Sequence, residues 1–323
     1  MPLLESLKRN IERELDGIKL TDLSRAVVDL GNIYRNEKKT ILDTHLHYLA
    51  YLSTRFPATY AVMGHVLNEL LLRVPTAAIS SLLDVGAGFG GSASVAHSLF
   101  PHIKQVTLVE QNTKLMELGK KIYNQNLDLY VIRKTADFTT KLDLTPHDLI
   151  LFSYSIGEVA EDLYQSLLEH YWKITSSFLV IIEPGTPAGF NKIRLIREKM
   201  LSLGAHIIAP CPHQNACPMA GINWCHFSQR LSRSSIHRFT KDGELNYEDE
   251  KFSYLIFSKK PNPIEGERIL RVPSKRKGHV ILDLCTKEGV TKRTVSKKEN
   301  EQYKIAKNSK WGELYIRSDI KNS

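Results

Sequence analysis

The spacing of apolar residues changes along this chain near position 75. Over residues 47–73 apolar side chains recur at steps of three and four, with one break at Pro57, which predicts helices. Beyond that point, short runs rich in Val, Ile and Leu alternate with segments of helix length. The runs are SSLLDV (80–85), QVTLVE (105–110), LDLYVIR (127–133), HDLILFSY (147–154) and SFLVIIEP (177–184). This alternation is typical of βαβ units around a buried parallel sheet, so the pattern predicts an α/β fold.

The remaining third of the chain predicts more strands and a linker. AHIIAP (205–210) and FSYLIFSKK (252–260) are expected to be strands, and a linker is expected at Pro261 to Pro263. We therefore expect three regions. They are a helical N-terminal region at 1–75, a Rossmann-like domain at 76–260 with a cysteine-rich insertion at 209–250, and a small β-rich C-terminal module at 261–323.

Composition places the chain among ordinary globular proteins. Of its 323 residues, 42% are hydrophobic and 24% charged, and no apolar run is long enough to span a membrane. Acidic and basic residues alternate at the N-terminus, which predicts neither a secretory signal nor a mitochondrial transit peptide. We therefore expect a cytoplasmic monomer that does not bind membranes. In a reducing compartment, its four cysteines are expected to be ligands or catalysts rather than disulfides.

The excess of positive charge lies at one end of the chain. The formal net charge is +9, and residues 259–323 hold 17 Lys and Arg against 8 Asp and Glu, so the first 258 residues balance. Such a segment is expected to bind a polyanion. The alternative is a solvated tail, which the strand-like runs HVILDLC (279–285) and ELYI (313–316) disfavour.

A glycine-rich turn follows the first predicted strand. Gly86, Gly88 and Gly90 stand between SLLDV and a predicted helix, where glycines let a ligand approach backbone N–H groups. Glu110 ends the next strand, where an acid can accept both hydroxyls of a ribose. The pattern predicts a nucleoside pocket, and both a dinucleotide and S-adenosylmethionine fit it.

The turn LLDVGAGFGG, with Asp84 before the first glycine, resembles motif I of the Rossmann-like methyltransferases. This resemblance implies S-adenosylmethionine as the ligand and implies that Asp137 contacts the adenine. Methyl transfer itself stays an open question. SYSIGEV (153–159) stands where enzymes that methylate base amines often carry an Asn-Pro-Pro-Tyr type tetrapeptide, and no catalytic residue is evident. Glu183 is either a pocket residue or a structural turn residue.

Three of the four cysteines lie within fifteen residues. Cys211, Cys217 and Cys225 are spaced C-x5-C-x7-C, and Cys285 completes the four thiolates of a metal site. Structural zinc usually binds CxxC pairs, which this chain lacks, so the spacing favours a 4Fe-4S cluster. Zinc is the alternative, since His213 and His226 lie nearby, although we expect both to bond backbone carbonyls. Four unrelated buried thiols are a further alternative. The glycine turn argues against a radical S-adenosylmethionine enzyme, in which the cluster itself binds that cofactor.

Several blocks together resemble one family, the methyltransferase-like assembly factors of the mitochondrial small ribosomal subunit and their bacterial relatives. The blocks are YLSTRFPATYAV (51–62), LLDVGAGFGG (82–91), EPGTPAGF (183–190), APCPHQNACP (209–218), WCHFSQRLSRS (224–234), YEDEKFSYL (247–255) and RKGHVILDLC (276–285). The missing transit peptide suggests a bacterial member. The resemblance implies S-adenosylmethionine, a 4Fe-4S cluster on the four cysteines, binding to small-subunit rRNA and proteins, and methyl transfer that is suspected to be lost. An active rRNA methyltransferase and a zinc-stabilised RNA-binding protein remain alternatives.

Two basic clusters flank the cysteines and are the candidate RNA contacts. They are Arg230, Arg233 and Arg238 after the third cysteine, and Lys275, Arg276 and Lys277 before the fourth. We expect both clusters to gather around the metal site as one phosphate-binding surface. A solvated helix face is the alternative for the first cluster.

Overall fold

The structure is a computed structural model in which residues 3–35, 42, 44–123, 128–219, 223–240 and 245–317 are described. Parts of the regions and runs expected from the sequence lie outside the described residues. These parts are 1–2, 36–41, 43, 124–127, 220–222, 241–244 and 318–323. Among the described residues, no helix is both long and apolar enough to cross a membrane.

The N-terminal region is helical, as its periodicity predicts. Its helices are α1 (Glu5–Glu14), α2 (Leu20–Arg35), α3 (His45–Ala50), a π-helical turn (Tyr51–Arg55) and α4 (Phe56–Arg73). Pro57 does not interrupt this stretch, because it lies in the first turn of α4, where a missing N–H costs no hydrogen bond. Apolar side chains of all four helices join one core with one face of the central sheet.

The central sheet contains each strand that the apolar runs predict. Its strands are β1 (Ser81–Val85), β2 (Gln105–Glu110), β3 (Tyr130–Thr135), β4 (His147–Ser153), β5 (Thr175–Pro184), β6 (His206–Ala209), β7 (Phe227–Ser232) and β8 (Tyr247–Ser258). The order is β3-β2-β1-β4-β5-β8-β6, with β7 paired to β8. Strands β1 to β5 are parallel, whereas β8 is antiparallel to β5, β6 and β7. This is a Rossmann-like, doubly wound α/β fold with an antiparallel edge.

Helices cover both faces of this sheet, which explains why its middle strands β1, β2, β4 and β5 are largely apolar. The connecting helices are α5 (Gly91–Leu99), α6 (Thr113–Ile122), α7 (Tyr164–Lys173), α8 (Pro187–Ser202) and α9 (Ser235–Thr240), with short 3-10 turns at Ile156–Glu158 and Glu161–Leu163. Alternate residues of β1 enter different cores, Leu82 on the side of the N-terminal helices and Leu83 on the side of α7 and α8.

A second, smaller sheet forms most of the C-terminal part. Its strands are β9 (Glu267–Ile269), β10 (Ser274–Arg276), β11 (His279–Thr286), β12 (Gly289–Ser296) and β13 (Leu314–Tyr315), and it also contains a 3-10 turn (Lys297–Glu299) and α10 (Glu301–Asn308). Strand β11 is central and pairs with β9, β10 and β12. One face of β11 forms a small core with α10 through Val280, Leu282 and Ala306. Cys285 instead joins a separate cluster with Phe190 and Met219 of the first domain.

Candidate cofactor pocket and four-cysteine cavity

The strand order reverses between β1 and β4, and the region outside their carboxyl ends, between the loops that follow them, is here called the crevice. Doubly wound sheets bind ligands at this point, because the loops after the two strands diverge there. The glycine turn follows β1, and the segment from Tyr154 to Glu158 follows β4. The Ser155 hydroxyl donates to the Val85 carbonyl oxygen at 2.6 Å, which joins the two loops at the base of the crevice.

The glycine turn requires its glycines. Gly86, Gly88 and Gly90 have φ of 77°, 53° and 78°, a region that residues with a Cβ rarely adopt. A Cβ on Gly86 would lie 2.4 Å from the Ser155 Cβ, so only hydrogen fits at this position. The Gly86 and Ala87 N–H groups both donate to the Val109 carbonyl oxygen at 2.9 Å. These contacts fix the turn at the end of β1.

The three predicted acids surround this turn. Asp84 is buried, and burial raises its pKa to about 7. Glu110 accepts the N–H of Gly88 at 2.9 Å on one carboxylate oxygen and that of Asn112 at 2.8 Å on the other. Asp137 accepts the N–H and hydroxyl of Thr139, at 2.9 and 2.7 Å. Glu110 is thus held beside the turn with its oxygens oriented, as a ribose contact requires.

The sequence reasoning assigned no role to the π-helical turn, which packs on the glycine turn. Tyr51 and Phe56 place their rings 5.6 and 5.5 Å from the ring of Phe89, which lies between two of the glycines. The Tyr48 hydroxyl accepts a hydrogen bond from the Asn112 side chain at 3.2 Å. The block YLSTRFPATYAV was a marker of the family resemblance, and this packing gives it a physical role. π-helical turns are frequent at functional sites.

Glu183 faces the segment after β4, next to the crevice. Its carboxylate accepts the Gly157 N–H at 3.0 Å, and it is 3% exposed. Burial raises its pKa to about 7, while the Gly157 hydrogen bond and the charge of Lys192 lower it. Tyr154 nearby adopts an unusual φ of 58°, and its hydroxyl has no partner among the described residues. The sequence left Glu183 between a pocket and a turn role, and the structure shows its carboxylate bonded to the loop after β4.

The four cysteines line one cavity, although they come from three parts of the chain. Cys211 and Cys217 follow β6, in a loop that begins after the cis peptide bond between Ala209 and Pro210. Cys225 comes just before β7, and its carbonyl oxygen accepts the Ser253 hydroxyl at 2.8 Å. Cys285 lies near the end of β11. The cavity is partly open to solvent and has a volume of about 30 Å³.

The cysteine side chains are near one another but are not arranged around a single ion. Among the described residues, no group of three His, Cys, Asp or Glu could hold one metal ion. Burial raises the pKa of Cys285 to about 12 and raises the pKa of Cys225 well above its usual value. These two thiols are therefore protonated at neutral pH when no metal is bound, and any metal must displace their protons.

The two nearby histidines differ in position. The Nδ1 of His226 lies 3.3 Å from the Trp224 carbonyl oxygen, so His226 faces a backbone carbonyl as expected, and its ring stacks on that of Trp224. His213 instead lines the cavity, with its Nε2 3.6 Å from the Cys285 sulfur.

The first basic cluster is largely engaged in ion pairs. Arg230 forms two 2.8 Å hydrogen bonds with Asp249, and Arg233 bonds Glu248 at 3.2 Å. The Arg238 side chain donates to the Asn246 side chain at 2.7 Å. The YEDEK block opens β8 and supplies both acids. None of these arginines is among the residues that line the cysteine cavity.

The second basic cluster lies at the far end of β11 from the cysteine cavity. Arg276 pairs with His279, and Cys285 is six residues further along the strand. At the rise of an extended strand, this separation is about 20 Å. The expectation that both clusters gather around the metal site is therefore wrong, because the register of β10 on β11 carries Lys275 to Lys277 away from it. Their role in binding RNA stays a prediction.

Comparison with known proteins gives relatives along almost the whole chain. Rsm22-cox11 tandem protein 1, mitochondrial, of Schizosaccharomyces pombe is 26% identical over 97% of this chain and 49% of its own length. The human ribosome assembly protein METTL17, mitochondrial, is 25% identical over 82% of this chain and 62% of its own length. The chain thus spans about half the length of the fission yeast relative.

Solved structures show only a weak likeness. Magnesium protoporphyrin IX methyltransferase of Synechocystis has a TM-score of 0.42 and 10% identity, covering 72% of this chain and 94% of the other. Precorrin-6y C5,15-methyltransferase of Geobacter metallireducens has a TM-score of 0.42 and 15% identity, covering 63% and 89%. Neither likeness supports a conclusion about function.

A family model described as mitochondrial small ribosomal subunit Rsm22 matches residues 45–316. The match includes the glycine turn, all four cysteines and most of the second sheet. The chain therefore belongs to the Rsm22 family.

Proposed function

We propose that this protein is an assembly factor of the small ribosomal subunit that binds its rRNA. In this proposal S-adenosylmethionine occupies the crevice beside the glycine turn, and a 4Fe-4S cluster occupies the four-cysteine cavity. The observation that carries the proposal is the convergence of the four cysteines on one cavity in a member of the Rsm22 family. The name of the human relative, a ribosome assembly protein, and the description of the family model support the ribosomal role.

The residues of the cavity fit a cluster better than a single ion. Four thiols line the cavity, and among the described residues no group of three potential ligands is set to hold one metal ion. A cluster carries its metals at four corners, so its ligands can stand further apart. When bound, the cluster would supply four metal–sulfur bonds that join the loop after β6, the start of β7 and the end of β11. Zinc would require the cysteines to move together.

The ribosomal role predicts a specific dependence on the second basic cluster. A triple variant with Lys275→Ala, Arg276→Ala and Lys277→Ala removes three exposed cations from β10 and its turn. We expect weaker binding to transcribed small-subunit rRNA. The slope of the logarithm of the binding constant against the logarithm of the salt concentration should fall in magnitude by about 2, because each contact to a single-strand phosphate contributes about 0.7. Filter binding at several salt concentrations measures both quantities.

The matched control removes three exposed lysines of α6, with Lys114→Ala, Lys120→Ala and Lys121→Ala. It makes the same change of net charge outside the C-terminal sheet, and its slope is expected to stay near that of the wild type. Equal slopes for the two triple variants would contradict the assignment of this cluster to RNA.

The cofactor pocket predicts a strong effect at Gly86. In Gly86→Ala the new Cβ meets the Ser155 Cβ at 2.4 Å, so the turn must shift away from the crevice. We expect the affinity for S-adenosylmethionine, measured by calorimetry, to fall at least about 10-fold. This corresponds to a loss of about 1.4 kcal/mol of binding free energy. Gly204→Ala is the control, because Gly204 has a similar φ of 75° but nothing within 4 Å of its Cβ position. If both variants bind like the wild type, the ligand does not use this turn.

A second candidate function is methyl transfer to rRNA, and Glu183 is the observation that favours it. A buried carboxyl with a pKa of about 7 beside the crevice suits a general base at neutral pH. In such a step the nucleophile of the RNA would bond the methyl carbon and the sulfonium–methyl bond would break. S-adenosylhomocysteine would leave, and the carboxylate of Glu183 would take the proton of the nucleophile.

Glu183→Gln tests this candidate. Because a positioned base contributes about 100-fold or more, transfer of labelled methyl groups to rRNA from a knockout strain should fall by that factor. Glu161→Gln is the control, since Glu161 is exposed in a 3-10 turn. No transfer by the wild type, or equal transfer by Glu183→Gln, would remove this candidate and leave the assembly role intact.

A further inference from the structure

Three arginines line the four-cysteine cavity, and the sequence reasoning assigned none of them to it. Arg194 and Arg197 lie on α8, and Arg268 lies on β9 opposite Cys285. Each carries one buried side-chain N–H without a hydrogen-bond partner among the described residues. These are the Nε groups of Arg194 and Arg197 and one Nη2 group of Arg268.

These unpaired donors are costly unless something fills the cavity. A buried donor without a partner costs about 1–3 kcal/mol, and a charged one costs more. Arg197 and Arg268 are only 2% and 1% exposed, so bulk water does not pair with them. Buried polar groups are nearly always satisfied. Unpaired buried Nε groups also occur at Arg73, Arg233 and Arg293, away from this cavity, so what distinguishes the three donors is that their residues line one cavity, where a single acceptor would satisfy them together.

Among the described residues, the charged side chains that line the cavity are all of one sign. They are three arginines, with neither an aspartate nor a glutamate. Glu69, which is not part of this lining, bonds Arg268 at Nη1 rather than at the unpaired Nη2. The wall therefore favours an anionic occupant that offers acceptor atoms on several sides. A 4Fe-4S cluster with four thiolates is such an anion, and its sulfur atoms accept hydrogen bonds.

We propose that Arg194, Arg197 and Arg268 donate N–H hydrogen bonds to the sulfur atoms of this cluster and raise its reduction potential. Reduction adds an electron to an already anionic group, so nearby positive charge and N–H donors stabilise the reduced form more than the oxidised form. These arginines are positioning residues, since they act through the cluster. The inference rests on the cluster of the proposed function.

Two of the three arginines also hold the ligand loop, which decides the choice of variants. An Arg197 Nη2 group donates to the Asn215 carbonyl oxygen at 2.6 Å, between Cys211 and Cys217. Arg268 donates from Nε to the Pro210 carbonyl oxygen at 2.7 Å. Loss of either side chain therefore disturbs the loop as well. Arg194 shows no hydrogen bond among the described residues, so Arg194→Gln changes charge and donors with the least effect on folding.

The experiment compares the anaerobically loaded wild type with Arg194→Gln and Arg197→Lys in a redox titration followed by electron paramagnetic resonance. We expect both variants to have a lower reduction potential than the wild type. We also expect them to lose iron to a chelator about 10-fold faster, the usual effect of removing a partner of a metal ligand. Arg194→Lys keeps the charge and should recover part of the potential. Arg133→Gln is the charge-matched control, since Arg133 is exposed on edge strand β3.

The outcomes separate this inference from the proposed function. If the wild type holds a cluster and both variants keep its potential, the arginines do not act on the cluster and the inference is wrong. If the wild type binds no iron–sulfur cluster after anaerobic loading, the cluster of the proposed function fails together with this inference. Circular dichroism of each variant shows whether it is folded, and a variant that is not folded is replaced by Arg194→Lys.

Discussion

Cys285→Ser is expected to abolish cluster binding and to loosen the C-terminal sheet from the Rossmann-like domain. Cys285 is the only cysteine of the chain that the second sheet contributes, so its loss removes the bond that would join the two parts. In zinc-finger peptides, binding of a structural metal contributes about 10–16 kcal/mol to folding, so a large share of stability is at stake. Serine is close in size to cysteine, so packing in the metal-free protein should change little.

Three measurements on anaerobically purified protein check this prediction. The wild type should be brown, absorb near 400 nm and contain about four irons per chain, as a four-thiolate cubane requires. The variant should be colourless and should be cut faster by a protease around the exposed Pro261 and Pro263. Thr286→Val is the control, because it disturbs the same end of β11 without removing a thiol.

Two results would contradict the prediction. One zinc and no iron in the wild type would replace the cluster with the zinc alternative. Full iron content in Cys285→Ser would show that the other three cysteines hold the metal without the second sheet, and the link between the two parts would then have another origin.

Arg268→Ala is expected to cause the second largest loss, even in the metal-free protein. Arg268 is 1% exposed and connects three parts of the fold. It bonds Glu69 of α4, the Pro210 carbonyl oxygen before the cysteine loop, and the Gly312 carbonyl oxygen near β13. Removing it leaves the Glu69 carboxylate with only Arg73 as a charged partner and leaves two carbonyl groups without this donor. Breaking a buried pair in this way costs about 3–5 kcal/mol.

Urea unfolding of chelator-treated protein measures this cost without any contribution from a metal. Arg317→Ala is the control, since Arg317 also pairs with an acid of β9, Glu267, but its side chain is 32% exposed. The control should lose less than about 1 kcal/mol, as is usual for exposed ion pairs. A loss below about 1 kcal/mol in Arg268→Ala would show that its contacts do not hold the two sheets together.

Most strands of the central sheet could be predicted from local patterns, and the exception is informative. Each predicted apolar run became a strand, and those in the middle of the sheet are apolar because both of their faces are buried. Strand β7, FSQRLS, escaped prediction because only Phe227 and Leu231 are buried and its other side chains are polar. It lies at the sheet edge, paired only with β8, where a strand needs no continuous apolar run. The antiparallel edge therefore became evident only from pairing.

The candidate site was predictable to different degrees in its two halves. The acids and glycines of the cofactor pocket follow consecutive strands, so strand order alone brings Gly86 and Glu110 together. The basic clusters were misplaced, because closeness in sequence to Cys285 says nothing about direction along an extended strand. Lys275 lies ten residues before that cysteine in sequence, yet it pairs with Val280 near the opposite end of β11.

By itself the sequence determined the strand positions, the glycine turn and the number of thiols available. The strand positions follow from the periodicity of apolar side chains, and the glycine turn follows from the few residue types that tolerate positive φ. The number of thiols follows from counting the cysteines, so none of the three depends on contacts between distant residues. Only the tertiary structure decided that Cys285 meets Cys211 and that Arg197 and Arg268 close the same cavity. These contacts depend on the pairing of β9 with β11 and on the packing of the second sheet against α8. Both the pairing and the packing are made by residues that are far apart in sequence.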